Sequence, residues 1–444
     1  MRTNVRTFTP PASIKHRYHP GSARAAFAYP DFRRMWFGSF ASNIGTWMQN
    51  VVLPAYVYER TGKASVVGLL VFAQLGPLLV FSIPAGVIAD RLDRRRWLME
   101  MQLVQLVFSG LLAPLAAANA SIGWLFLVAL GVGCGNALNA PAWAAMLPTL
   151  VTPADLHGAI SLNSVMINGS RVLGPMIVAV LGQFGMTTPQ FFLINAATYL
   201  FVIVALFVTR FPPIPPVTHE HGMRMFTSGL RLARANPVLM RLLAALFTFS
   251  LISLPFVGLF PAVARLNFGI DEAGSTYKWL YATWGFGACI GGLAIGTIFV
   301  SWDQRRLIQG GFVAFAVSLA GFAVAREPIG AFTIGLVLGF AYFATTTAMS
   351  TIFQSRSKDH ERGRLMALWF VAFGGTITLG NLAFGPIMDA IGARWVMLVG
   401  AVFALFLAWW CDIAKIDRSV SKGRNQPLQP DHTATFDEEG LTTE

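Results

Sequence analysis

Long apolar runs separated by short charged or polar loops organise the chain. Twelve of them read as membrane-spanning helices, at about 36–58, 66–89, 97–118, 122–147, 158–184, 189–209, 238–263, 277–300, 307–325, 329–354, 364–389 and 395–412. A helix rises 1.5 Å per residue, so about 20 apolar residues cross the hydrocarbon. The short alternating segments of a β-barrel do not occur in this pattern. The expected fold class is an all-α membrane protein of twelve transmembrane helices.

The run 210–237 differs in kind. Pro212, Pro213, Pro215 and Pro216 end the sixth span, and residues 222–235 then read as an amphipathic helix. Met223, Phe226, Leu230 and Ala233 lie on one side and Arg224, Arg231 and Arg234 towards the other, as in a helix lying on a membrane surface. The expected organisation is a tail over 1–34, a six-helix half over 35–209, a linker over 210–237, a second half over 238–412 and a tail over 413–444. The halves repeat weakly. Gly86, Asp93, Arg95 and Arg96 recur 210 positions later as Gly296, Asp303, Arg305 and Arg306, and Gly158 and Gly169 recur 205 positions later as Gly363 and Gly374. Two matching six-helix halves suit a rocking transporter. Small residues four apart, Gly131-Gly135 and Gly292-Gly296, mark faces where helices approach closely.

Charge fixes the orientation. Charged residues make up 12% of the chain, about half the soluble average. With both termini on one side, 26 of the 33 Lys and Arg fall on that side and six on the other. That asymmetry places both termini in the cytoplasm. The net charge of +12 is thus a topology signal and an anionic-lipid contact, with no nucleic acid implied. The N-terminal 34 residues lack the apolar core of a signal peptide.

The three cysteines are isolated, and all seven histidines fall in tails or loops, so neither a zinc site nor a histidine relay is expected and no cofactor is implied. A membrane enzyme needs clustered nucleophiles, carboxylates or metal ligands, and the sequence supplies none.

Polar residues inside the spans are the candidate chemistry. Asn43, Gln49 and Asn50 belong to the first span, Asn139 to the fourth, and Asn168 and Arg171 to the fifth. Helical spacing puts Ser164, Asn168 and Arg171 on one face. Arg171 lies midway along its span, where an arginine faces the bundle interior or a cavity by default. It reads as a site for an anionic substrate group or as a charge that trades partners, against the plainer role of clamping helices together. The amides serve equally well as interhelical glue. No carboxylate sits at mid-membrane; Glu100, near the inner end of the third span, is the candidate proton site. Trp97, Tyr277, Trp279, Tyr281, Trp395, Trp409 and Trp410 lie near predicted helix ends and read as interface anchors. Trp47, Trp143, Trp284, Trp369, Tyr342 and Phe343 lie deeper and suit either packing or an apolar cavity.

Phe32-Arg33-Arg34-Met35-Trp36, Ser42-Asn43 with Gly45-Thr46-Trp47-Met48, the knot Gly86–Arg96, Asn139-Ala140-Pro141, Leu162-Asn163-Ser164 through Gly174-Pro175, and Gly363-Arg364 with Gly374-Gly375 together resemble the major facilitator superfamily over 33–412. More narrowly they resemble its bacterial branch of enterobactin exporters and transmembrane secretion effectors. The resemblance implies that Gly86 permits close helix approach, that Asp90 contacts the start of the eleventh helix, and that Arg94 and Arg95 anchor the loop and the contact between halves. By that resemblance these four residues would form a conformational gate. Relatives carry acids where this chain has Thr46 and Asn139 and an arginine at Trp143, so the usual proton-antiport set is incomplete. The expected protein is a monomeric exporter of the bacterial inner membrane. It moves an amphipathic small molecule (siderophore-, drug- or lipid-like) by alternating access, with protons as a candidate coupling partner. The alternatives are an uncoupled facilitator or importer, and a non-transporting sensor or assembly partner of the same fold.

Overall fold

The structure, a computed structural model, describes residues 18–412 apart from 92, 210 and 212–222. Among the described residues all regular structure is helical. A short α1 (Ala23–Phe27) precedes the first half, α2 (Pro30–Thr61), α3 (Ala64–Arg91), α4 (Arg94–Ala117), α5 (Ile122–Met146), α6 (Leu156–Gln183) and α7 (Thr188–Val208). The connecting helix α8 (Met223–Ala235) leads into a broken seventh span: α9 (Pro237–Thr248), a π-turn (Phe249–Ser253), α10 (Pro255–Gly258) and α11 (Phe260–Phe268). Then follow α12 (Ser275–Gly296), α13 (Gln304–Val324) and α14 (Pro328–Ser355). The eleventh span is α15 (Asp359–Phe370), a second π-turn (Val371–Gly375) and α16 (Thr376–Ile391), and α17 (Ala393–Trp410) is the twelfth. Among the described residues nine helices are long and apolar enough to cross a membrane by themselves. The polar-rich α2 and α12 and the broken α9–α11 run complete the twelve.

The two halves repeat in detail. Asp93 caps α4 by accepting from the Arg95 and Arg96 N–H groups at 2.9 and 3.1 Å. Asp303, 210 positions on, caps α13 by accepting from the Arg305 N–H at 3.0 Å. A capping carboxylate satisfies N–H groups that a helix start leaves unpaired. Helices α2 and α6, α2 and α7, and α3 and α5 pair within the first half; α12 and α14, and α13 and α17, pair within the second. The halves meet along α3 with α16 and α6 with α12.

Three expectations change. The N-terminal tail ends sooner than residue 34: Pro30 opens α2, and the preceding turn is tied to α6 by Tyr29 Oη and the Gly21 N–H, which donate to Asp155 at 2.8 and 2.9 Å. Helix α8, expected on the membrane surface, turns by 118° into the seventh span and also packs on the bundle, its Gly229 against the Arg364 carbonyl and Leu368 of α15. Gly296 has open space around it, whereas a Cβ on Gly287 or Gly291 would overlap the Leu336 or Phe340 carbonyl of α14. The tight α12–α14 seam therefore runs through Gly287 and Gly291. Several glycines in this helix share four-residue spacing, and spacing alone does not say which set faces the neighbour. Gly131 and Gly135 do pack closely on α4, against Phe108 and Gln105.

Gly291→Leu is expected to destabilise the detergent-solubilised protein by about 3 kcal/mol or more, because the clash is with backbone. Gly296→Ala should stay within about 1 kcal/mol of the parent. Thermal melts of the two variants check this, and equal melting temperatures would contradict the packing described.

Candidate functional site

A cavity of about 580 Å³ lies between the halves, within the range typical of small-molecule sites. Its two walls differ in chemistry. The first half contributes most of the amides, Asn43 and Asn50 from α2, Gln102 from α4, Asn136 and Asn139 from α5, and Asn168 from α6, beside Trp47, Trp143 and Tyr199. The second half contributes most of the rings, Tyr277, Tyr281 and Trp284 from α12, Tyr342 and Phe343 from α14, and Phe370 and Phe373 around the second π-turn, beside the amide of Asn381. Such π-turns recur at functional sites, because they re-aim side chains within an otherwise regular helix.

Arg171 stands where the walls meet. Its guanidinium lies 5.2 Å from the Trp47 ring centre and 5.1 Å from that of Phe343, one ring from each half. A Cβ on Gly285 of α12 would sit 3.3 Å from the Arg171 carbonyl, so glycine there keeps α6 and α12 close. The rings form a connected path along the second-half wall. Tyr281 meets Trp284 at 5.5 Å, Trp284 stacks on Tyr342 at 5.9 Å, and Tyr342 meets Phe343 edge-on at 4.6 Å.

Five of the six predicted cavity residues, Asn43, Asn50, Asn139, Asn168 and Arg171, line this space. Gln49 does not. It is 2% exposed and accepts hydrogen bonds from Ser109 Oγ at 2.6 Å and Asn195 Nδ2 at 2.8 Å, so it ties α2 to α4 and α7. Asn43 and Asn168 each donate to the carbonyl four residues back, at 2.8 and 2.9 Å. Tyr277 and Tyr281 are a correction to the interface-anchor reading: they are 1% and 5% exposed and line the cavity. Tyr277, Tyr281, Trp284 and Ala288 fall at i, i+4, i+7 and i+11 on one face of α12, a helical stripe that distinguishes a buried wall from scattered anchors. Trp369 packs on Phe353 at 5.0 Å instead of lining the space. Glu100 is exposed on α4 and outside the cavity.

Of the predicted gate, Gly86 and Asp90 lie in the last turns of α3, and their side chains fall outside the described residues. Arg95 reaches the end of α7, donating to the carbonyls of Leu206 at 2.9 Å and Phe207 at 2.5 Å. A cation there complements the negative end of the helix and anchors the loop within the first half. Arg94 opens α4 beside it.

At the opposite end of the seam the same Gly-x3-Asp spacing recurs as Gly385 and Asp389 of α16. A Cβ on Gly385 would lie 2.8 Å from Ser65 Cα and 2.9 Å from the Ala64 carbonyl. The Asp389 carboxylate accepts from the Ala64 and Ser65 N–H groups at 2.6 and 2.9 Å, capping α3 from the other half of the molecule. Lys278 of α12 crosses the same end, packing on Gly182 of α6 with its Nζ 5.7 Å from the Phe191 ring. The cavity is thus sealed towards Ala64 and Asp389 and extends the other way to Ser39, Trp143 and Phe370.

A twelve-helix bundle of two halves with a ligand-sized cavity on the seam is a major facilitator transporter. The chain belongs to the transmembrane secretion effector family, whose model matches residues 21–439. It is 26% identical over 396 residues to the enterobactin exporter EntS of Escherichia coli O1:K1 / APEC, covering 85% of this chain and 92% of that protein. The same exporter of Shigella boydii serotype 4 (strain Sb227) matches at 26% over 390 residues, with the same coverage. The fold is similar to that of a bacterial homologue of the human lysosomal transporter Spinster in an inward-facing, unoccupied conformation, with a TM-score of 0.69, 16% identity and coverage of 90% of this chain and 98% of that one. It is similar also to that of the nucleoside transporter NupG, at 0.68, 12% identity and coverage of 87% and 99%.

Asp389→Ala is expected to open the sealed end, since removing a capping carboxylate costs about 1 kcal/mol and so shifts a two-state population several-fold. Cys289, which lines the cavity, reports it once Cys134 and Cys411 are replaced by Ser. A membrane-impermeant maleimide added from the α3 N-terminal side should label Cys289 several-fold faster in the variant. Unchanged labelling would show that the cap does not hold this end.

Proposed function

We propose that this protein exports an amphipathic small molecule across the bacterial inner membrane by alternating access, with both termini in the cytoplasm. The observation that carries the reading is the cavity on the seam, amide-lined on one half, ring-lined on the other, and sealed at one end. With the termini inside, the sealed end is the outer one and the structure is the inward-facing member of the pair. Family membership and the enterobactin-exporter relatives support the outward direction and a siderophore-, drug- or lipid-like cargo. The family is one of transporters, and the protein works in this reading as a carrier, not an enzyme.

Among the described lining residues there is no carboxylate to carry a coupling proton. This favours, as a second reading within transport, a carrier whose flux does not depend on protons. A preformed cavity with a glycine-tight seal at one end supports a transporting protein over a sensor that merely keeps the fold.

A melting screen of the purified protein against siderophores, amphipathic antibiotics and lysolipids is expected to find stabilising ligands, a ligand at 100 times its Kd adding about 2.7 kcal/mol. Cells making the protein should expel such a ligand. Arg171→Ala is expected to reach the membrane normally and to lose that efflux, by tenfold or more. Normal efflux in Arg171→Ala would remove Arg171 from the site.

A further inference from the structure

Arg171 is the one charged side chain among the described residues that line the cavity. Neither a hydrogen bond nor an ion pair joins its guanidinium to any described residue, and its Nε is buried without an acceptor. A guanidinium carries five N–H donors in a fixed fork. The faces of Trp47 and Phe343 stabilise its charge but accept none of those hydrogens, so they offset only part of the desolvation. Two further groups on the second-half wall, Tyr277 Oη and Trp284 Nε1, are also buried and unpaired. The unpaired acceptors of the lining, on Ser39, Gln102 and Asn381, belong to α2, α4 and α16. Buried donors in native proteins pair with protein, water or ligand, and no described residue pairs this one.

The geometry points to a substrate that is an amphipathic aryl monoanion. Its oxyanion accepts from Arg171, and its ring lies on the path Phe343, Tyr342, Trp284 and Tyr281. One negative charge makes the loaded cavity neutral. Offset stacking and edge contacts suit an aromatic body on those rings. The inference rests on the export reading and adds the coupling mode. No proton carrier is needed, because each outward cycle moves one negative charge, and a membrane potential negative inside drives that movement.

Two probes of equal shape test it: naphthalenesulfonate, always an anion, and the uncharged naphthalenesulfonamide. Binding to the purified protein in nanodiscs, followed by the melting shift and tryptophan fluorescence, should favour the sulfonate at least tenfold. Arg171→Gln should erase the preference, and Arg171→Lys, which keeps the charge and guards against simple misfolding, should retain several-fold. Equal binding of the two probes, no binding of the sulfonate, or a preference that survives Arg171→Gln overturns the assignment.

In proteoliposomes with valinomycin, a tenfold potassium gradient should drive sulfonate to about a tenfold concentration ratio away from the negative compartment. A pH gradient alone should drive none. Sulfonate flux that follows only the pH gradient overturns the coupling. Flux of both probes without charge discrimination overturns the anion assignment and leaves export standing. Arg171-dependent binding with no flux of sulfonate under any gradient overturns the export reading and leaves the site.

Discussion

The seam between the halves constrains everything else, because two six-helix bundles must touch closely enough to seal a membrane and loosely enough to part. Close approach is obtained from glycine: Gly385 lets α16 lie on the start of α3, and Gly285 lets α12 lie on the Arg171 turn of α6. Backbone-to-backbone packing of this kind is how helices associate in lipid, where apolar side chains alone gain little by meeting. The polar contribution at the sealed end is small by comparison. One carboxylate, Asp389, serves two N–H groups of α3, a contact of the size that a modest ligand affinity can reverse.

Arg171 sits where that seam meets the cavity, and its surroundings follow from the cost of its charge. In hydrocarbon an arginine is expensive, so it is enclosed by a ring from each half, Trp47 and Phe343. In the proposed alternating access, opening the seam would part those rings and so tie the environment of the charge to the conformation of the whole. In the proposed transport, the amide-rich wall of the first half would take polar groups and the ring-rich wall of the second an apolar body. The two ends are held by different contacts. The first-half loop is held by Arg95 on the end of α7, and the opposite end by Asp389 on the start of α3.

Much of this was legible in the chain because a membrane helix carries its boundary in its composition. The twelve runs, the recurrence of Asp93 as Asp303, and the shared face of Asn168 and Arg171 can all be read along the chain. What escaped depends on which way a side chain turns. Gln49 and Asn50 are adjacent amides on one helix, yet Gln49 is spent on Ser109 and Asn195 while Asn50 faces the cavity. Tyr277 and Tyr281 stand near a helix end, where an amphipathic ring suits the lipid interface as well as a cavity wall. Only the stripe they form with Trp284 and Ala288 tells the two apart. The breaks of the seventh and eleventh spans at π-turns leave no signal in hydropathy, since residues on both sides of each break remain apolar. Asp389 closes the expected span 364–389, and only the fold brings Ala64, 325 positions away, beneath it.

The central claim is that one end of the seam opens as the other closes. Spin labels at Lys63 and Ala390 flank the sealed end, and labels at His157 and Thr297 flank the opposite ends of α6 and α12. Double electron–electron resonance on both pairs in nanodiscs, with and without a bound ligand, tests that claim directly. The account predicts a short distance for 63–390 in the resting protein. Ligand should bring a longer population at that pair together with a shortening of 157–297. Two pairs that lengthen together, or that keep single distances whatever is bound, would contradict it.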